Sequence, residues 1–184
     1  MRFCTVSFFG HRHIEGDIWE LDEKLREIVQ LMINRNFCTE CLVGTGGDFD
    51  RIASSAIKYE QKRFDEVKLL HVLVLPYLMT DYVERYKGLN SFYDDLEICE
   101  ESCNIHPKAA YGVRNRSVID RSDFIVFYVN HAYGGAYQAM KYALKKGKKI
   151  YNLGTLQNDK NFDIFNSEIH YAFDPEDYSD TNNW

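Results

Sequence analysis

Three glycine-centred turns contain the residue types that bind phosphate. Residues 10–12 (GHR), 44–50 (GTGGDFD) and 134–135 (GG) each follow an apolar run and precede a helical pattern. Glycine lets a backbone approach a ligand closely, and the amide groups that open a helix attract anions. The carboxyl ends of parallel strands meet at one edge of a sheet, so the three turns are expected to converge. The sequence therefore predicts a crevice that holds a phosphate-bearing small molecule.

The candidate ligand-binding residues lie in these turns and in the segments next to them. They are Gly10, His11, Arg12, Gly44, Gly46, Gly47, Asp48, Asp50, Arg114, Asn115, His131, Gly134, Gly135 and Tyr137. Arg12 offers a fork of donors that matches a phosphate or a carboxylate. The alternative for Arg12 is a surface ion pair with Glu15 or Asp17. The neighbouring anion-binding turns favour the ligand-binding interpretation.

The turn at residues 44–50 is the strongest local signal. Three glycines within four residues are unfavourable unless the backbone needs a positive φ or a close approach. Asp50 lies in the predicted first helical turn, where its carboxylate could accept ribose hydroxyl groups. The alternative is that Asp48 or Asp50 caps the helix, which accounts for only one of the two acids. The turn is neither a P-loop, which needs Gly-Lys-Ser/Thr, nor the GxGxxG fingerprint of dinucleotide enzymes.

Two further groups of residues are expected near the crevice. Arg114 and Asn115 lie in the first part of a predicted helix, where an arginine could clamp a phosphate or stabilise a leaving group. The alternative is a solvated basic face, and it is favoured for Arg116. His131 lies close to the predicted crevice, and Tyr133 and Tyr137 flank the third turn. Either tyrosine could stack on a base or a ribose, and for Tyr137 packing in the core is the equal alternative.

Five cysteines raise the question of a metal site. Cys38 and Cys41 have the spacing of half a zinc site, and Cys99 with Cys103 could supply the rest. Reduced, buried thiols are favoured because Cys41 begins a predicted buried strand, so no metal is predicted. His71 lies inside another predicted strand and is expected in the core. No Ser/His/Asp or Cys/His arrangement can be assembled, so no catalytic residue is assigned.

The order of strands and helices must place the three turns at one edge of a sheet. Apolar runs predict strands at residues 3–9, 39–43, 67–75, 124–129 and 149–153, with the first and last strands central. Periodic apolar positions predict helices at residues 14–34, 48–64, 93–103, 111–122 and 135–146. A short strand is expected near Ile105. The alternation indicates an α/β fold, a Rossmann-like doubly wound and mostly parallel sheet with helices on both faces.

Composition and charge narrow the class of protein. The 184 residues are 45% hydrophobic, which is enough to bury a core as one domain. Residues 153–184 carry seven acids and one lysine, whereas residues 1–152 carry 21 acids and 21 bases. No basic face is evident, so a nucleic-acid partner is not expected. Residues 1–153 are predicted to form the binding domain, and 154–184 an acidic, aromatic extension packed on it with loose last residues.

Segments for membrane insertion or export are also not predicted. No run reaches the roughly 18 consecutive apolar residues of a membrane-spanning helix. The apolar start is too short for a signal peptide and lacks a small-residue cleavage site. A cytoplasmic protein without a membrane partner is therefore expected.

Four motifs extend over most of residues 3–153. They are TVSFFGHR at 5–12, GTGGDFDRIA at 44–53, RNRSVIDRSD at 114–123 and GGAYQAMKYALKKGKKIYNL at 134–153. Their order and spacing resemble the SLOG superfamily, and within it the YpsA-like branch of small bacterial and phage proteins. The superfamily includes lonely-guy phosphoribohydrolases, the DNA-processing protein DprA and antiphage sensors of NAD-derived nucleotides. The resemblance implies a Rossmann-like fold that binds a nucleotide through Gly10, Arg12, Gly44, Asp50, Arg114 and Asn115.

The third turn departs from the lonely-guy pattern. Those enzymes carry PGGxGTxxE, whose glutamate takes part in breaking an N-glycosidic bond. Here only the glycine pair is kept, and Lys141 stands where the glutamate would be. The reaction needs a carboxylate to stabilise positive charge on the ribose or to activate water, so the lysine argues against it. Asp48 or Asp50 could supply a carboxylate from another turn.

Three functions remain open at this point. The leading one is a protein that binds a nucleotide or an ADP-ribose-like ligand as a sensor or sequestering agent, with no other cofactor assigned. The alternative is a hydrolase that cleaves an N-glycosidic or phosphoester bond in a nucleotide. The third is DprA-like nucleic-acid binding, which the neutral body and acidic tail disfavour. Self-association into a homo-oligomer is a further expectation from the resemblance.

Overall fold

A computed structural model describes residues 2–34, 37–64, 69–78 and 92–156, and in these residues six parallel strands form one sheet. The strands are β1 (Arg2–Gly10), β2 (Phe37–Val43), β3 (Leu69–Leu75), β4 (Asp95–Ile98), β5 (Phe124–Tyr128) and β6 (Lys149–Asn152). The helices are α1 (Ile18–Asn34), α2 (Asp48–Arg63), α3 (Glu100–Cys103), α4 (Pro107–Arg121) and α5 (Gly134–Lys145). The predicted α/β class is confirmed.

The strand order creates a crevice between β1 and β5. The order is β4-β3-β2-β1-β5-β6. Strands β2, β3 and β4 follow one another on one side of β1, and strands β5 and β6 lie on its other side. In the register of the two central strands, Phe9 lies opposite Phe127 and Gly10 opposite Tyr128. The connections leave β1 and β5 towards opposite faces of the sheet. This is the place where open α/β sheets bind ligands.

Two apolar clusters cover the two faces of the sheet. Phe8 belongs to the cluster that packs β1, β2, β3 and β5 against α1 and α2. Phe9, the next residue, belongs to the cluster that packs the same strands against α4 and α5. Successive side chains of a strand point to opposite faces, so β1 contributes to both clusters. The sheet is doubly wound with helices on both faces, as predicted.

Helix α1 buries the predicted stripe but begins four residues later than predicted. Leu21, Leu25, Ile28, Val29 and Met32 are buried, as their spacing indicates. The first residue of the stripe, Ile18, is 51% exposed. Asp17 accepts hydrogen bonds from the backbone N–H groups of the first turn and so fixes the start of the helix.

Three predictions about the sheet are wrong. Residues 93–103 are not one helix, because 95–98 form β4 and only 100–103 are helical. The side chain of Asp94 accepts the N–H of His71 at 2.7 Å and fixes β4 beside β3. Strand β6 is not central, since in the described sheet it pairs with β5 alone. No strand is found near Ile105 in the described residues.

The cysteines on β2 and after β4 do not lie together. Cys41 is buried in the cluster beneath α1 and α2, whereas Cys99 is buried in the cluster beneath α4 and α5. Burial raises the pKa of the Cys41 thiol. No group of three or more metal-ligating side chains is found among the described residues.

The last described residues pack beside the end of β5. Leu156 is 8% exposed, and its backbone N–H donates to the carbonyl of Val129 at 3.3 Å. Residues 157–184, and Val67 and Lys68 of the predicted third strand, lie outside the described part of the chain. Among the described residues, no helix is both long and apolar enough to cross a bilayer.

His71 is predicted to make the stability of the fold depend on pH. It is 0% exposed, its Nδ1 bonds the carbonyl of Phe92 at 3.3 Å, and burial lowers its pKa to about 4. Between pH 6.5 and 4 the unfolded chain binds a proton that the folded chain does not. The free energy of unfolding therefore falls by roughly 3 kcal/mol over this range because of His71.

Urea unfolding as a function of pH tests this prediction. In His71→Asn, which keeps a donor for Phe92, the pH dependence below pH 6.5 should be shallower than in the wild type. His13→Gln is the matched control, because the His13 side chain is 84% exposed. Equal slopes for wild type and His71→Asn would contradict the assignment.

Candidate functional site

The predicted turns converge on one cavity of about 440 Å³ at the carboxyl ends of β1 and β5. This volume is in the range of small-molecule sites. Ten of the fourteen predicted ligand-binding residues line it. They are Gly10, His11, Arg12, Gly46, Asp50, Arg114, Asn115, His131, Gly134 and Gly135. The structure therefore brings all three turns to one place together with the middle of α4, a helix that begins four residues earlier than predicted.

The turns after β1 and β2 are joined through their backbones. A Cβ on Gly47 would lie 2.4 Å from the Cα of Arg12, so only glycine permits this approach. The N–H of Asp48 donates to the carbonyl of Arg12 at 2.8 Å. The Nε of Arg12 donates in turn to the carbonyl of Gly46 at 3.1 Å. Gly47 and Asp48 thus support the cavity wall without lining it.

Neither aspartate caps helix α2, which corrects the alternative considered for Asp48 and Asp50. The N-cap is Gly47, and no side chain makes a capping bond there. Asp50 instead accepts the backbone N–H of Gly46. Asp48 accepts the N–H of Ile14 at 3.3 Å and pairs with Arg51. Both acids hold loop backbone rather than the helix end.

A buried guanidinium forms the floor of the cavity. Arg114 is 5% exposed, and its Nε is buried without a hydrogen-bond partner. Burial lowers the pKa of Arg114, and the nearby charge of Asp50 opposes that shift. Burial also raises the pKa of Asp50, which Arg114 and the amides of the glycine turn oppose. A Cβ on Gly44 would lie 2.9 Å from Nη2 of Arg114, so glycine leaves room for the guanidinium.

The N-terminus of α5 opens into the same cavity. Tyr133 is its N-cap, and no side chain satisfies the first amide groups. Gly134 has φ +87°, a conformation that favours glycine. A Cβ on Gly134 or Gly135 would meet no atom within 4 Å. The helix dipole and the uncapped N–H groups therefore offer unobstructed donors from which an anion could accept hydrogen bonds.

Three aromatic rings stack at the side of the cavity. The ring centroids of His11 and His131 are 3.5 Å apart, and those of His131 and Tyr133 are 3.6 Å apart. Tyr133 is 68% exposed, so the outer end of the stack is open to solvent. Burial and the neighbouring His131 lower the pKa of His11 to about 4. His11 is therefore neutral at physiological pH.

Several lining residues escape prediction from the sequence. Tyr111 lines the cavity one helical turn before Arg114, and its ring centre lies 5.9 Å from the Arg114 guanidinium carbon. The three-residue spacing on one helix face is the signal that could have identified it. Asn130 also lines the cavity, and its position directly after the end of β5 is a similar signal. His13 and Glu15 come from the loop after β1.

Tyr137 and Lys141 lie away from the cavity. Tyr137 packs against the cluster beneath α4 and α5, and the Nζ of Lys141 lies 5.6 Å from its ring centroid. Neither residue is among those that line the cavity. Lys141 stands where the resemblance would place the lonely-guy glutamate, but it does not line this cavity. Its positive charge is therefore a weaker argument against hydrolysis than the sequence alone indicates.

The cavity is equipped for binding an anion more clearly than for hydrolysis. Its charged lining consists of Arg12 and Arg114 against Asp50 and Glu15. The Asp50 carboxylate is occupied by a backbone amide of the glycine turn and lies near the buried Arg114. A general base must reach the reacting proton or a water next to it. The Asp50 carboxylate already accepts a hydrogen bond from the loop backbone, which makes it a poor candidate for the general base.

No protein-family model matches the chain, and no curated protein matches its sequence. Its fold does match solved structures. DprA from Streptococcus pneumoniae superposes with a TM-score of 0.57 at 13% identity, covering 85% of this chain and 52% of that one. DprA from Helicobacter pylori, described for its unique single-stranded DNA binding mode, gives 0.56 at 15% identity, covering 85% and 67%. The structural-genomics target TM1055 gives 0.52 at 13% identity, covering 80% and 72%.

The fold is shared with DprA. At 13–15% identity, these likenesses show the fold alone. The chain spans about half the length of the pneumococcal DprA. The single-stranded DNA binding of the Helicobacter protein does not agree with the expectation of no nucleic-acid partner.

Gly47→Ala is predicted to destabilise the fold. The new Cβ would collide with the backbone of Arg12, which cannot rotate away as a side chain can. We expect a loss of about 2–3 kcal/mol in the free energy of unfolding, measured in urea. Gly135→Ala is the control, because open space surrounds its Cβ. Equal stability of Gly47→Ala and wild type would show that the two turns are not packed in this way.

Proposed function

We propose that the cavity binds a phosphate-bearing nucleotide or ADP-ribose-derived small molecule, and that the protein acts as a sensor or sequestering protein. One observation carries the proposal. Arg114, which is buried and whose Nε has no hydrogen-bond partner among the described residues, lines the same cavity as the uncapped N-terminus of α5. The first N–H groups of α5 lack a side-chain acceptor, and a phosphate supplies several acceptor oxygens.

The charge of the cavity limits the number of phosphates. Two arginines and two carboxylates line it, so the positive excess comes from the dipole of α5, about half a unit charge. Such an excess suits a ligand with one or two phosphate groups better than a triphosphate. This supports a nucleoside monophosphate or an ADP-ribose-like ligand.

The aromatic stack supports a ligand with a base. Tyr133 ends the stack with its outer face exposed, and it lies directly before the anion site of α5. Stacking of a base on an aromatic ring contributes about 1–3 kcal/mol. A nucleotide could therefore use the helix N-terminus for its phosphate and Tyr133 for its base.

Isothermal titration calorimetry with AMP, ADP-ribose, cyclic ADP-ribose and inorganic phosphate tests the proposal. In Gly135→Asp the new carboxylate would occupy the anion site, and we expect affinity to fall at least tenfold. Acids in the first turn favour a helix, so this variant should keep its fold. Gly135→Asn matches it in size without the charge and should weaken binding less. Failure of the wild type to bind any of these compounds, or equal losses in both variants, would refute the proposal.

Single-stranded nucleic acid is the second candidate, and the DNA-binding mode of the Helicobacter DprA favours it. The dependence of the binding affinity on salt concentration distinguishes a nucleic-acid strand from a small nucleotide. A strand that contacts several phosphates loses affinity with a slope of about −0.7 per phosphate in a plot of log K against log salt. Our proposal predicts a slope shallower than about −1.5 for AMP, and little binding of an oligothymidylate at 150 mM salt. Tight oligothymidylate binding with a steep slope would make nucleic acid the better candidate.

A further inference from the structure

His11 is held in one orientation at the junction of β1 and β5. It is 7% exposed, and its backbone N–H donates to the carbonyl of Tyr128 at 3.2 Å. The ring of His131 lies parallel to its ring within 18° at 3.5 Å. Rotation of the imidazole is therefore restricted by the stack and by its burial.

The hydrogen bonds of the ring fix its tautomer. The Nε2 of His11 accepts the backbone N–H of Asn130 at 3.0 Å and that of His131 at 3.4 Å. A backbone amide nitrogen can only donate, so Nε2 must carry its lone pair. The neutral ring then has its proton on Nδ1. A second proton on Nε2 would face two donors, which is consistent with the lowered pKa of His11.

The Nδ1 proton has no protein acceptor among the described residues, and the ring lines the cavity. We infer that His11 is a specificity-determining residue that donates an uncharged hydrogen bond from Nδ1 to an oxygen of the phosphate-bearing ligand. This inference rests on the proposed function. It adds to the proposed site an uncharged donor whose direction is fixed by the backbone N–H groups of Asn130 and His131. Arg12 and Arg114, by contrast, would bind the ligand through their charge.

Two substitutions separate this role from a structural one. Glutamine places its amide near the position of Nε2, so His11→Gln keeps an acceptor for the loop amides and loses the donor. Asparagine places its amide near the position of Nδ1, so His11→Asn keeps the donor and loses the acceptor. The probe is AMP, with its dissociation constant measured by calorimetry and the stability of each variant measured in urea.

The inference predicts opposite effects for the two variants. His11→Gln should keep the unfolding midpoint close to wild type and bind AMP about tenfold more weakly, as for the loss of one hydrogen bond. His11→Asn should lower the midpoint and keep AMP affinity within about threefold. A purely structural His11 predicts the same order of midpoints but the reverse order of AMP affinities, with His11→Gln binding like the wild type and His11→Asn binding more weakly. That reverse order would overturn the inference.

Nitrogen NMR of the ligand-free protein provides the second readout. We expect His11 with protonated Nδ1 and unprotonated Nε2 from pH 8 down to about pH 5, and a shift of Nδ1 when AMP is added. Protonated Nε2 at pH 7 would overturn the inference whatever the binding data show. A wild type that binds none of AMP, ADP-ribose, cyclic ADP-ribose and phosphate would instead refute the proposed function. The ligand-free spectrum still decides whether the donor is presented.

Discussion

The candidate site depends on one buried charge, the guanidinium of Arg114. Arg114 is 5% exposed, and an isolated buried charge is strongly unfavourable. Asp50 supplies the opposite charge, and the amides of the glycine turn hold Asp50 in turn. Gly44 lacks a side chain where the guanidinium needs room. The glycine turn, the aspartate and the arginine are therefore one unit, and each depends on the other two.

The fold brings this unit to the cavity between β1 and β5. Strands β1 and β5 are neighbours, and the helices that follow them leave towards opposite faces. The space left between them contains the N-terminus of α5 and the floor formed by Arg114. The same fold occurs in DprA and TM1055. A shared fold does not determine a shared function, so the chemistry must be argued from the side chains of this chain.

The long elements could be predicted from the sequence because burial leaves a largely apolar run in β1 and a periodic apolar stripe in α1. Strand β4 has only four residues, two acidic and two apolar, and is too short to give such a signal. Ten of the fourteen candidate residues line the cavity, and eight of them could be predicted because they follow strands or begin helices at one edge of the sheet. The acceptor role of His11 and the orientation of Lys141 could not be predicted. Both depend on the packing of side chains from distant segments.

The contact between His11 and the segment after β5 joins residues 119 apart in sequence. No short fragment of the chain contains this site, so it exists only when the whole sheet has formed. Under the proposed function, a compound bound there would stabilise the entire domain, by about 2.7 kcal/mol at a hundredfold excess over its dissociation constant. The fraction of molecules that escape unfolding and proteolysis would then rise with the concentration of the compound, and so would the lifetime of the protein.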